Sequence, residues 1–215
     1  FMGNMNTCKK YAKALSALGY VCFIYDFNGG GVFSASEGKT TEMSVLTEVK
    51  DLKAVINYVK TQNFVDANDI SLLGCSQGGF VSAIVSKQLK DEIKNLILFY
   101  PALCIPDDAR KGSMIMAKFD PDNVPETFKC GPMKLGKCYV NDVKEMDVFE
   151  EISGYNGKVF LIHGTKDEIV NIDYSRRAKE LYSDIEYHEI QGGTHGFRGD
   201  HDKEAIRHLT DFMAR

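Results

Sequence analysis

Hydrophobic positions along the chain fall into short unbroken runs separated by periodic ones. YVCFIYDF at 20–27, ISLLG at 70–74, NLILFY at 95–100, KVFLIHG at 158–164 and IEYHEI at 185–190 are mostly continuous rather than alternating. That pattern predicts strands buried on both faces of a parallel sheet. Between them, residues 43–60 carry Val45, Val49, Leu52, Ile56 and Val59 at steps of three and four, which is one apolar helix face. An opening helix places Tyr11, Leu15 and Leu18 on one side and stops at Gly19, a residue free to take the left-handed conformation after a helix end.

Strands alternating with helices over short connections predict right-handed crossovers and a doubly wound α/β sheet, with ligands gathering at the carboxyl ends of the strands. Residues 101–155 break the rhythm with a long connection rich in proline and glycine, and connections of that length are usually functional. The expected organisation is one domain: a core from 1–100 and 156–215, interrupted by a small lid insertion at 101–155. A length of 215 residues, 44% of them hydrophobic, suits a single core.

The sharpest chemical signal is Gly74-Cys75-Ser76-Gln77-Gly78-Gly79, directly after the run ISLLG and before the apolar stretch FVSAIVSKQL. A strand, a tight turn holding GxSxG and a helix form the setting of a nucleophile elbow. A serine hydroxyl at neutral pH needs a histidine to take its proton and a carboxylate to orient that histidine. Asp167 follows KVFLIHG, and His195 follows IEYHEI in the loop GGTHGF, giving the order Ser, Asp, His. Singly, each has a plainer reading: a chance GxSxG, a helix-capping Asp167, a His195 bonded to a loop carbonyl. Together, each just beyond a predicted strand, they point to a catalytic triad. His163 sits at a strand end from which it can approach the site, with packing the expected role.

Composition narrows the remaining classes. A net charge of -4 with acids and bases intermixed offers no basic stripe for nucleic acid. No apolar run reaches the roughly 18 residues of a membrane span, and the start FMGNMNTCKK is not a secretory signal. Six cysteines in a chain of this length do not make a disulfide framework, so reduced thiols and a cytoplasmic location are expected. Cys75 is expected to pack rather than react, and the spacing of Cys130 and Cys138 matches no common zinc pattern. No metal or organic cofactor is expected, the partner being a small-molecule ester; a second copy of the chain is a further candidate partner. The start at Phe1 leads to the expectation that a segment precedes it.

FMGN at 1–4, DFNGGG at 26–31, GCSQGG at 74–79, YPALCIPDDARKG at 100–112, LIHGTKDEIV at 161–170 and GGTHGF at 192–197 form a set that resembles the α/β-hydrolase fold, and within it the bacterial cinnamoyl and feruloyl esterases. The resemblance runs the length of the chain. It implies an acyl-enzyme mechanism, an oxyanion hole made by the backbone N–H groups of Phe1 and Gln77, and a lid in which Asp108 contacts ring hydroxyls. Asp107 and Asp108 equally suit the start of a helix. Where the family has a lid glutamine this chain has Ile115, between Met114 and Met116, which points toward a more apolar acyl group.

Overall fold

The computed structural model describes residues 2–215. Four of the five apolar runs pair into one sheet: β1 (Ile70–Cys75), β2 (Ile93–Phe99), β7 (Lys158–Gly164) and β8 (Ile185–Ile190), all parallel and in the order β1-β2-β7-β8. Side chains of a strand alternate between faces, so a run apolar at every position must be covered on both sides. That is what happens. Leu96, Leu98, Val159 and Leu161 face a core shared with α2 (Val45–Lys60) and α3 (Gln77–Gln88). Ile97, Phe99, Phe160 and Ile162 face a second core under α1 (Lys9–Ser16) and α8 (Asp200–Met213). The result is an α/β-hydrolase fold with helices on both faces of a parallel sheet.

The register carries the ends of the strands to one edge. Cys75 pairs with Phe99, Phe99 with Ile162 and Gly164 with Ile190, so the residues that follow each strand emerge side by side. Helix α2 begins where the polar pattern allows: Ser44 and Thr47 form a reciprocal capping box, supplying partners to backbone N–H groups that the first turn leaves unpaired.

The run at 20–27 departs from expectation. It takes no regular secondary structure and pairs with no strand among the described residues. A strand needs facing backbone to meet its N–H and C=O groups. Here a gap intervenes, with Val21, Phe23 and Tyr25 on one side and Ile70, Ser71 and Leu72 of β1 on the other, all lining one continuous cavity.

Residues between β2 and β7 form α4 (Ile105–Lys111), a hairpin of β3 (Ser113–Met114) and β4 (Ala117–Lys118), a second hairpin of β5 (Thr127–Cys130) and β6 (Met133–Gly136), then α5 (Cys138–Asn141) and α6 (Val148–Ile152). Phe128, Leu135, Tyr139 and Val143 from this stretch join the core beside α2 and α3. Helix α7 (Asp173–Ala178) follows β7. Cys130 and Cys138 are free thiols in separate surroundings, donating to the carbonyls of Met114 and Thr41 respectively. Among the described residues no helix is long and apolar enough to cross a membrane.

Helix α2 also buries a carboxyl group. Glu48 is 2% exposed, and one of its oxygens has no hydrogen-bond partner. Burial pushes its pKa from 4.5 up to about 7, against a hydrogen bond from Gln77. Between pH 4.5 and about 7 the folded chain therefore holds a proton that the unfolded chain has lost, and stability falls as pH rises through that window, by on the order of 3 kcal/mol. Glu48→Gln should remove that slope. In thermal unfolding followed from about pH 5 to about pH 8, the wild type should lose several degrees more than the variant, and parallel curves would refute the assignment.

Candidate active site

The turn after β1 forces Ser76 into φ 53° and ψ −122°, a conformation costly for a residue with a side chain. It persists because its surroundings leave no alternative. The Ser76 N–H donates to Phe99 O at 2.9 Å and its carbonyl accepts from Ala102 N at 2.9 Å, pinning the turn to the end of β2 and beyond. A Cβ at Gly74 would lie 2.2 Å from Gly78 O, so only glycine lets strand and helix approach this closely. Ser76 Oγ is thereby held at the head of α3.

Asp167 and His195 are carried by two loops laced together. Thr165 N donates to Ile190 O at 3.0 Å and Lys166 N to Gly193 O at 2.9 Å. A Cβ on Gly164 would meet Gly193 O at 2.2 Å, so the loops touch backbone to backbone. The three residues expected from sequence then meet: His195 Nε2 lies 3.0 Å from Ser76 Oγ, and His195 Nδ1 lies 2.8 Å from Asp167 Oδ2. A carboxylate only accepts, so Nδ1 carries the proton and Nε2 is the free base facing the serine hydroxyl.

Asp167 divides its two oxygens. Oδ1 accepts from the N–H groups of Ile169 and Val170, both at 2.9 Å, which folds the loop; Oδ2 faces the imidazoles. The side chain is fully buried, which raises its pKa. Hydrogen bonds from His163, His195 and the Val170 backbone outweigh that and hold it well below the usual carboxylate range. It is an anion at neutral pH.

His163 is not mere packing. It is buried, its Nε2 lies 3.1 Å from Asp167 Oδ2, and its Nδ1 lies 2.7 Å from Ser175 Oγ in α7. With its proton on Nε2 it donates to the same carboxylate oxygen as His195, while Ser175 fixes the ring. The i, i+4 spacing of His163 and Asp167 was the available signal, but across a strand end that spacing predicts no contact. Tyr100, at φ 38°, packs its ring 4.7 Å from the His195 ring, a second support that its place in the stretch 100–112 did not announce.

Gln77 opens α3, in the first turn, where no helical carbonyl reaches its N–H and the helix dipole favours negative charge. Its side chain is buried, with Oε1 accepting from the Tyr139 hydroxyl of α5. The other expected oxyanion donor, Phe1, lies outside the described residues.

Asp108 sits in the first turn of α4, whose N-cap is Cys104, so it does not cap the helix. It is half-buried, and burial raises its pKa. Asp107 instead pairs with Arg110 at 2.5 Å and with the Tyr174 hydroxyl. The cavity containing Ser76 and His195 has a volume of about 860 Å³. Its lining includes Ala102, Ile105, Asp108, Met114 and Ile115 as well as residues of 20–27 and β1. Among the described residues no group of three or more His, Cys, Asp or Glu side chains is placed to hold a metal ion. The site can therefore offer an activated hydroxyl, a fixed base and an N–H donor beside an apolar cleft with one carboxyl group.

Comparison with known proteins agrees with this chemistry. Residues 1–151 match the family model described as serine aminopeptidase, S33. A structure of Est1E from Butyrivibrio proteoclasticus with ferulic acid bound is 28% identical, with a TM-score of 0.90 over 99% of this chain and 84% of its own. The monoacylglycerol lipase of Paleococcus ferrophilus, at 20% identity and a TM-score of 0.75 over 100% and 91%, shares the fold. Alpha/beta hydrolase domain-containing protein 10 from mouse, at 17% identity, a TM-score of 0.70 and coverage of 99% and 86%, shares it too. The chain belongs to the serine aminopeptidase S33 family of α/β-fold serine hydrolases.

Proposed function

We propose that the protein hydrolyses carboxylic esters through an acyl-enzyme on Ser76, and that hydroxycinnamate esters of the feruloyl type are its substrates. The observation that carries the reaction is the unbroken chain of hydrogen-bond distances from Ser76 Oγ through His195 to Asp167, at 3.0 and 2.8 Å. His195 takes the serine proton as Oγ attacks the ester carbonyl. Asp167, already anionic, steadies the imidazolium that forms. In this mechanism the Gln77 N–H, at the start of α3, donates to the developing oxyanion, and a single such donor is worth about 3 kcal/mol of barrier. His195 then protonates the departing alcohol, and water repeats the sequence to release the acid.

Support for the acyl preference comes from the cleft and the neighbour together. The apolar side chains Ile105 and Met114 line the cleft together with the half-buried Asp108, a set whose chemistry suits a flat aromatic acid carrying a ring hydroxyl. The neighbour at 28% identity holds ferulic acid. One observation favours a second reading: Ile115, at the tip of the β3–β4 turn, adds an apolar surface that suits a simple acyl chain, as in a lipase- or thioesterase-like hydrolase. The gap beside 20–27 is a slot along a strand and is left out of the acyl site.

Turnover of methyl ferulate and 4-nitrophenyl butyrate, with a peptide amide as control, tests the reading. Ser76→Ala should lower kcat by on the order of 10⁴-fold or more on any true substrate; unchanged turnover would end the assignment. Ferulate turnover lost in that variant supports the feruloyl reading, whereas butyrate turnover alone moves the substrate to simple acyl esters. Asp108→Asn should reduce kcat/KM for the ferulate about tenfold and spare the butyrate, the scale of one hydrogen bond to a substrate hydroxyl. His163→Leu removes one donor to Asp167 without touching substrate. We expect kcat to fall roughly 10–100-fold with KM nearly unchanged, and a change confined to KM would contradict a positioning role.

A further inference from the structure

The nucleophile has a thiol immediately before it in sequence, and that thiol faces another. Cys8, the N-cap residue of α1, brings its Sγ to 4.0 Å from Sγ of Cys75. Both line the cavity that reaches Ser76, and neither is fully buried. The reaction at Ser76 uses neither. Of the other four cysteines, Cys22 and Cys104 also line the cavity, Cys130 is buried and Cys138 lies on the Thr41 carbonyl, while Cys8 and Cys75 bring two sulfurs into contact.

We propose that Cys8 and Cys75 form an oxidation site that takes a hydroperoxide and closes into a disulfide directly behind the nucleophile, slowing the reaction of Ser76. The electrostatics favour Cys8 as the attacking sulfur. Its hydrogen-bond contact with the Cys75 thiol draws its pKa below the ordinary thiol value, and the Lys10 charge assists against the opposing effect of burial; Cys75 is correspondingly raised. The Cys8 thiolate attacks one peroxide oxygen, forming S–O and breaking O–O, and the departing hydroxide or alkoxide takes up a proton. Cys75 then attacks the Cys8 sulfur, S–S forms, S–O breaks, and the hydroxyl leaves as water with the Cys75 proton. Two thiols lose two electrons and the peroxide gains them.

The contraction falls on one side. A disulfide requires an S–S distance of about 2.05 Å, so roughly 2 Å must close from the present contact. Cys75 sits in the elbow, where Gly74 already abuts Gly78 and the Ser76 N–H is tied to Phe99 O. Cys8 follows the short 3-10 turn Met5–Thr7, held chiefly through Met5 N to Asp26 Oδ1. Cys8 and this turn are the compliant partner, and Met2, Gly3 and Asn4 just ahead of it line the cavity. Closing the bond redraws that side of the mouth.

The test is stoichiometric hydrogen peroxide on the full chain, with thiols counted after denaturation and peptides mapped without reduction. The count should fall from six to four, with the Cys8 and Cys75 peptides linked and separated again by dithiothreitol. Labelling of Ser76 by a fluorophosphonate should slow about tenfold or more and recover on reduction, since the moving Cys8 side of the mouth carries Met2, Gly3 and Asn4 across the approach to the serine and a shift of about 1 Å in a positioning group can cost on the order of 10²-fold. Cys8→Ser should label at the wild-type rate before and after peroxide. Six thiols remaining, a link between other cysteines, or an unchanged labelling rate in the linked protein would each overturn the proposal. Because the link is read by mass, it is decided whether or not the protein turns over feruloyl esters.

Discussion

Everything at the site depends on one backbone turn that a free peptide would avoid. Ser76 is held at positive φ by a strand ending beneath it, a helix starting above it and the end of β2 beside it. The strain, of order 1–3 kcal/mol for such a residue, is spread into contacts that the fold makes anyway. Gly74 lets α3 lie against β1, and Gly79 lets it lie against Pro101. The turn puts the serine at the N-cap of α3, directly before the helix's first N–H groups. The strained serine and the opening of α3 are thus two results of a single geometric demand.

The rest of the site is organised around a buried anion. Asp167 is removed from water and would be destabilised as a charge were it not for two imidazoles and two backbone N–H groups converging on it. His163 satisfies part of that demand from behind while His195 meets it from the front. Ser175 and the laced loops fix the two rings in turn. Orientation of the working histidine is therefore inherited from the sheet register.

The sequence made the parallel sheet legible because burial on both faces leaves its mark residue by residue. The runs at 95–100 and 158–164 could be read directly, and the meeting of Ser76, Asp167 and His195 followed from strand order. What local pattern cannot convey is the partner. The run at 20–27 has strand composition yet faces a gap where a strand needs a neighbour. His163 looked like packing because its contact to Asp167 depends on how the loop folds back, and the thiol contact of Cys8 with Cys75 spans 67 positions of chain. Glu48 lay unremarked on an otherwise apolar helix face, since only the tertiary structure reveals that its carboxyl group is dry.

The divided carboxylate of Asp167 has a consequence for how such a protein can change over time. Oδ1 serves architecture, receiving the two N–H groups that shape the loop, and Oδ2 serves chemistry. An asparagine in its place keeps the carbonyl oxygen that the loop requires but turns an NH2 group toward the imidazoles, which favours the wrong tautomer of His195. Fold and reactivity are thus separable at a single atom. A lineage could shed hydrolysis here while retaining the cleft, leaving a ligand-holding descendant one nucleotide change away from its enzymatic ancestor.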